Sequence, residues 1–136
     1  MTEADLSYLN SRLRAFPCFD VLDASSFHEL TATATRRAFS PDEVLFTQGA
    51  PSAGLWLLED GSVKIVRYSP EGGEHILRLF GPGDSFNDIP AFDGGTNAAN
   101  AVALTLTTCW VLPTSVLRGM MERHPGMASR VAEHFG

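Results

Sequence analysis

The sequence predicts a mainly β domain, a barrel or sandwich of short strands with helices at both ends. Three observations carry that prediction. Between Phe39 and Pro113, short apolar runs alternate with glycine, proline and aspartate turn chemistry, as in VLFTQG, GLWLLEDGSVKIVRY and HILRLFGPGD. Before Phe39, apolar residues recur at helical steps: Leu6, Leu9, Leu13 and Phe16 mark one face. After Pro113 the helical spacing returns. The 136 residues therefore divide into leading helices over 1–38, a sheet region over 39–113 and C-terminal helices over 114–136, all within one domain.

Each element has a local reason. Thr2 can cap the first helix, with Asp5 in its first turn favoured by the helix dipole. FPCFDVLD breaks the pattern. A second helix is expected from Ser25 or Ser26 to about Thr35, with Phe27, Leu30 and Ala34 inward. VLFTQG makes a strand that ends at a glycine. GLWLLEDGSVKIVRY is expected to form a hairpin, because Asp60-Gly61 offers the φ > 0 residues that a two-residue turn prefers. SPEGGE turns the next hairpin, and HILRLF returns with Ile76, Arg78 and Phe80 on one face. GPGD is a further turn. AVALTLTTCWVLP supplies one long strand or two short ones. Thr114 or Ser115 can cap a helix carrying Val116, Leu117, Met120 and Met121. His124-Pro125 interrupts it, and Pro125 suits the first turn of a last helix with Met127 and Val131 on one face. The sequence ends inside that helix, which suggests a missing neighbour or a longer chain.

Bulk properties narrow the functional classes. A hydrophobic content of 44% with 19% charged residues is that of a globular chain. The net charge of −6 argues against this segment tracking a nucleic-acid backbone, which requires a basic stripe. No apolar run reaches membrane-span length, and MTEADLSYLN lacks the features of a signal peptide. Cys18 and Cys109 do not make a disulfide framework and read as reduced cytoplasmic thiols. The expectation is a soluble intracellular domain with no membrane partner and no cofactor.

One stretch raises a chemical question. GDSFNDIPAFDGGTNAANAVAL, residues 83–104, reads as a turn, a short helix, a glycine turn and an apolar strand. That layout serves to hold small anions, since helix N-termini present unpaired N–H donors. Yet it contains no Arg, Lys or His.

From RRAFSPDEVLFTQG to GPGDSFNDIPAF, the succession Phe39-Ser40-Pro41, Glu43, Gly49, Leu57, Gly61, Val63, Leu77, Gly81, Gly83, Asp84 and Phe86 resembles the cyclic nucleotide-binding domain of the Crp/Fnr (catabolite activator and fumarate–nitrate regulator) superfamily. The resemblance covers nearly the whole chain. It implies an eight-stranded jelly roll, or double-stranded β-helix, with flanking helices and an enclosed ligand cavity. It also implies a small-molecule effector, with a cyclic nucleotide among the candidates. A homodimer would be built on a long helix that begins near the end of this chain, and DNA would be bound only through a separate helix-turn-helix domain for which this chain has no room.

The resembled cassette is Phe-Gly-Glu followed by a small or apolar residue, with a later Arg-Ser or Arg-Thr that pairs with the phosphate. Here Phe86 matches, but Asn87 stands at the glycine, Asp88 at the glutamate, Asn97 at the arginine and Ala98 at the hydroxyl. Asp88 keeps an acceptor, one methylene shorter, able to reach a ribose through water. Asn87 tolerates φ > 0, and Pro90 suits a helix's first turn. Loss of the guanidinium weighs most, because hydrogen bonds to charged groups contribute about 1.5–3 kcal/mol each. Affinity for a cyclic nucleotide should then fall by roughly two to four decades. The family-equivalent ligand residues are Phe86, Asn87, Asp88, Ile89, Asn97 and Ala98, joined by Ile65 and by Arg78, which aligns with a strand position at the nucleotide's base end. A plainer alternative is that Asn87, Asp88 and Asn97 only cap and turn the backbone.

Rival chemistry finds little footing. A metal cupin needs a His-x-His pair, and His75 is followed by Ile76 and Leu77. Iron–sulfur binding needs more than two cysteines. Haem would make His75 the first suspect. No nucleophile triad or Walker-type loop is present, so no enzyme is expected. The expected function is effector sensing in a Crp/Fnr-type transcription regulator, with Met120, Met121, Met127 and Val131 in the coupling region. The alternatives are a stand-alone or fused interaction module and a true cyclic nucleotide receptor with a divergent cassette.

Overall fold

The computed structural model describes residues 2–135. Its elements are α1 (Glu3–Arg14), α2 (Pro17–Asp20), α3 (Ala24–Thr33), β1 (Thr35–Phe39), β2 (Val44–Phe46), β3 (Gly54–Asp60), β4 (Val63–Tyr68), β5 (Glu74–Phe80), β6 (Ser85–Phe86), α4 (Asp88–Asp93), β7 (Asn100–Ala103), β8 (Thr107–Pro113), α5 (Thr114–Arg123) and α6 (Pro125–Phe135). The strands form two four-stranded sheets, ordered β1-β8-β3-β6 and β2-β7-β4-β5. Stacked face to face they make the expected eight-stranded jelly roll.

The layering explains the sequence pattern. Trp56, Leu58, Cys109 and Val111 point between the sheets, where they meet Phe39, Val63, Phe86, Ala101 and Ala103. Leu55, Leu57, Trp110 and Leu112 point the other way, into a second core against Leu9, Leu13, Phe19, Leu30, Leu117 and Met120 of the helices. The β1-β8-β3-β6 sheet is thus a middle layer with both faces covered, which is why LWLL and CWVL show no polar alternation. Glycine is required where β3 begins: a Cβ on Gly54 would lie 1.9 Å from the Leu112 carbonyl oxygen, at φ 155°.

That layering overturns the hairpin expected across Asp60-Gly61. β3 pairs with β8 and β6, whereas β4 pairs with β5 and β7 in the other sheet. Gly61 has φ 96°, but Asp60 is not among the positive-φ residues, so the turn that would fold the two strands together is not formed. The chain instead crosses from one sheet to the other. SPEGGE does turn a true hairpin, with Ser69 N–H donating to the Gly73 carbonyl at 2.8 Å.

Boundaries shift at several places. The sheet begins at Thr35, because Thr35–Phe39 pairs antiparallel with β8, so the leading helices end before residue 38. FPCFDVLD contains the one-turn α2, which buries Cys18 and Phe19. The following helix starts at Ala24, capped by the Asp23 side chain accepting from Ser26 N–H at 2.8 Å. Thr2 and Asp5 form a reciprocal capping box, as their spacing allows. Neither Thr114 nor Ser115 caps α5; Pro113 holds that position, and the Thr114 hydroxyl is buried without a partner. AVALTLTTCWVLP divides into β7 and β8. His124 breaks α5 from α6, whose Met127 and Val131 are buried. None of the described helices is long and apolar enough to cross a membrane.

Candidate functional site

Residues 81–99 are assembled by turn chemistry before they meet any cavity. Asp84 accepts from the Gly81 N–H at 2.8 Å and closes the glycine turn. β6 then adds to β3, Phe86 opposite Trp56, which fixes Phe86 in the core between the sheets. Asn87 takes the left-handed conformation, φ 65° and ψ 36°, and so performs the backbone task of the expected glycine. α4 follows as a short helix that anchors Ala91 and Phe92 in the helical core and stops at Gly94, φ 78°. Ile89 is left largely exposed.

Between this segment and the second sheet lies a cavity of about 300 Å³. It is lined by Ile65, Arg78, Phe86, Asn87, Asp88, Ile89 and Ala98, so seven of the eight sequence-predicted positions converge. Asn97 does not face it. That side chain is 3% exposed and turned into the protein, its Oδ1 accepting from Asn87 Nδ2 at 3.0 Å and its Nδ2 donating to the Thr47 carbonyl at 3.0 Å. Asn87 Nδ2 also lies 3.2 Å from Ser52 Oγ, which accepts. Phe46, Phe80, Ser85, Pro90 and Ala99 line the cavity as well, outside the positions expected from the sequence. Phe46 comes from β2 through its pairing with β7, a long-range relation that a local pattern does not carry.

Two titratable residues line this space. One oxygen of Asp88, Oδ1, is buried away from it with no hydrogen-bond partner among the described residues. Burial pushes its carboxyl above the ordinary range, offset in part by the charges of His134 and Arg78. Arg78 lies opposite Ile65 in the β4–β5 ladder, exposed at the cavity's rim, its guanidinium 4.9 Å from the centre of the Phe80 ring. No carboxylate among the described residues pairs with it. Ile76 does not share its face: the ladder shifts register between Ile65 and Val66, which puts Ile76 opposite Val66. His75 is exposed and does not line the cavity. Among the described residues no group of three or more His, Cys, Asp or Glu side chains could hold a metal ion.

This fold and this cavity define the class. The family model described as the cyclic nucleotide-binding domain matches residues 36–124, and the chain belongs to that family, in its Crp/Fnr branch. The chain is 26% identical over 113 residues to the CRP-like cAMP-activated global transcriptional regulator of Mycobacterium tuberculosis, covering 83% of this chain and 50% of the relative. With the cyclic AMP receptor protein of Thermus thermophilus it shares 31% identity over 97 residues, 71% of this chain and 45% of the relative. It therefore spans about half the length of these curated relatives. Among solved structures, the N-terminal domain of a transcriptional regulator from Streptomyces coelicolor A3(2) superposes with a TM-score of 0.73 at 30% identity, covering 90% of this chain and 85% of that one.

Proposed function

We propose that this domain is the effector-sensing part of a Crp/Fnr-type transcription regulator, and that its cassette does not take cyclic AMP in the usual way. The single observation that carries the second half is the state of Asn97. At the position where the family resemblance places a phosphate-pairing arginine, there is a buried amide that spends both its polar atoms on the protein itself. Ala98, at the hydroxyl position, offers no side-chain donor. The cavity beside α4 is the effector site in this reading. Its occupant would bias the position of α4, which packs against both α5 and α6, and so reach the C-terminal helices by population shift. A homodimer and DNA contact through a separate domain complete the regulator.

A second reading, a true cyclic nucleotide receptor, keeps Asp88 as the acidic residue lining the cavity. Thermal-shift titration with cyclic AMP separates the two. A ligand at a hundredfold excess over its Kd adds about 2.7 kcal/mol, which for a domain of this size moves the midpoint by several degrees. Millimolar cyclic AMP is expected to leave the natural sequence unmoved, and the pair Asn97→Arg with Ala98→Ser is expected to gain a saturable response. A saturable response of the natural sequence at micromolar cyclic AMP would establish the receptor reading instead.

A further inference from the structure

Residues 83–104 contain no cation, and the fold brings two from elsewhere. Arg78 lines the cavity from β5, its guanidinium over the Phe80 ring. Arg67, on β4, reaches the cassette itself: its Nε donates at 3.1 Å to the carbonyl of Ala98, which also lines the cavity. Both arginines are exposed, and neither pairs with a carboxylate among the described residues. The chain holds 16 Asp and Glu against 10 Lys and Arg, so acids are not in short supply; these two cations are left free beside one cavity.

A bulge puts them on the same side. Arg78 lies opposite Ile65 and His75 opposite Arg67, with the register shift between Ile65 and Val66. Ile65 and Arg67 are two residues apart on β4 and share a face, the face that Ile65 turns to the cavity. His75 and Arg78 are three apart, and in a regular strand they would point to opposite faces. The extra residue on β5, Leu77, sets both on the face of Ile65 and Arg67. Three basic residues therefore share the cavity side of the β4–β5 hairpin.

The cassette does not compete for an anion. Asn97 and Asn87 bridge their side-chain amides at 3.0 Å, and from that bridge one hydrogen bond runs to Thr47 and another to Ser52. Both polar atoms of the Asn97 side chain are thus engaged by the protein. Asp88, the acid among the lining residues, is under the influence of His134 and Arg78 but not of Arg67. An anion therefore meets least repulsion on the side nearer Arg67. Below the arginines lies an aromatic wall: Phe80 and Phe86 stack with ring centroids 5.2 Å apart, and Phe46 lies 6.2 Å from Phe86. A volume of about 300 Å³ sits at the small end of ligand cavities.

We propose that this cavity takes a small aromatic carboxylate, whose ring packs on the Phe80–Phe86 wall and whose carboxylate sits between Arg78 and Arg67. A planar guanidinium fork matches the two oxygens of a carboxylate. The proposal rests on the cavity being the effector site, and it names the chemistry of the effector.

Amide-resolved NMR titration with benzoate, phenylacetate and 2-naphthoate, each beside its neutral carboxamide, tests it. At least one acid is expected to saturate the signals of Ile65, Arg78 and Ala98 and to bind about tenfold or more tighter than its amide, the scale of one hydrogen bond to a charged group. Arg78→Gln and Arg67→Gln should each weaken that acid by a similar factor, with Arg78→Lys recovering part of the loss. Arg36→Gln removes the same charge from an ion pair with Glu59 in the other sheet and should leave binding unchanged. If the amides bind as tightly as the acids through the same signals, or Arg78→Gln changes nothing, the ligand class is wrong and the effector site stands. If neither acids nor amides move those signals at millimolar concentration, the proposal is overturned. Should an acid bind as proposed yet leave the amides of α5 and α6 unmoved, the ligand class holds and the effector reading falls.

Discussion

Asp88 opens α4 with a carboxylate that the helix dipole favours and burial does not. Burial is the larger influence and holds the acid above its ordinary value of 3.8. An acid raised in this way takes up a proton on folding. Its contribution to stability is therefore complete below pH 3.8 and is lost as pH rises through the raised value. Asp88→Asn removes the buried charge and keeps the shape. Urea unfolding at pH 7 should show the variant more stable than the natural sequence, by on the order of 1 kcal/mol, the scale of one unpaired buried polar group. Near pH 3 the gain should vanish, since the natural side chain is then mostly protonated in both states (about one unit below a typical aspartate). A variant less stable at pH 7 would mean that a donor satisfies Asp88 in solution.

At the scale of elements, α4 is placed from both ends. Its N-terminal side is tied by the Asn87–Asn97 amide bridge, its C-terminal side by Arg118 donating to the Asp93 carbonyl. Asn97→Ala should cost about 1–3 kcal/mol, because it leaves the Thr47 carbonyl and one hydrogen of Asn87 without protein partners. Hydrogen exchange should quicken first at the Ala91 and Gly94 amides, which donate within α4. Unchanged exchange there, with stability lost evenly over the sheets, would remove the bridge as the support of α4. The identity of the bridge could not be read from the sequence. Asn97 and Thr47 are 50 residues apart, and the expectation for Asn97 was a position facing the ligand. Tertiary structure turned it inward, and Asn87 became both the left-handed pivot and the donor to it.

Across the whole molecule, two cores share one sheet. Cys18 belongs to the helical core and Cys109 to the core between the sheets, and burial pushes both thiols up to about 12. At pH 8 neither should react with iodoacetamide in the folded protein. Because β3 and β8 send side chains into both cores, the two cysteines are expected to be labelled at one common rate, that of global opening. Faster labelling of Cys18, read by mass spectrometry of peptides, would show that the helical layer opens on its own.

The sequence by itself determined the strand-rich class, the helical flanks and the cap at Thr2. These rest on local propensity, turn chemistry and a dense succession of family residues, all of which lie along the chain. It could not determine which strands pair. Asp60-Gly61 looked like a hairpin turn, yet β3 and β4 lie in different sheets, because the unbroken apolar run of β3 is covered on both faces and needs β8 and β6 beside it. Nor could it determine that Asn97 faces inward or that one Asp88 oxygen is buried without a partner. A buried polar atom takes its partner from whatever the fold brings within about 3 Å, and that is settled only when distant segments meet.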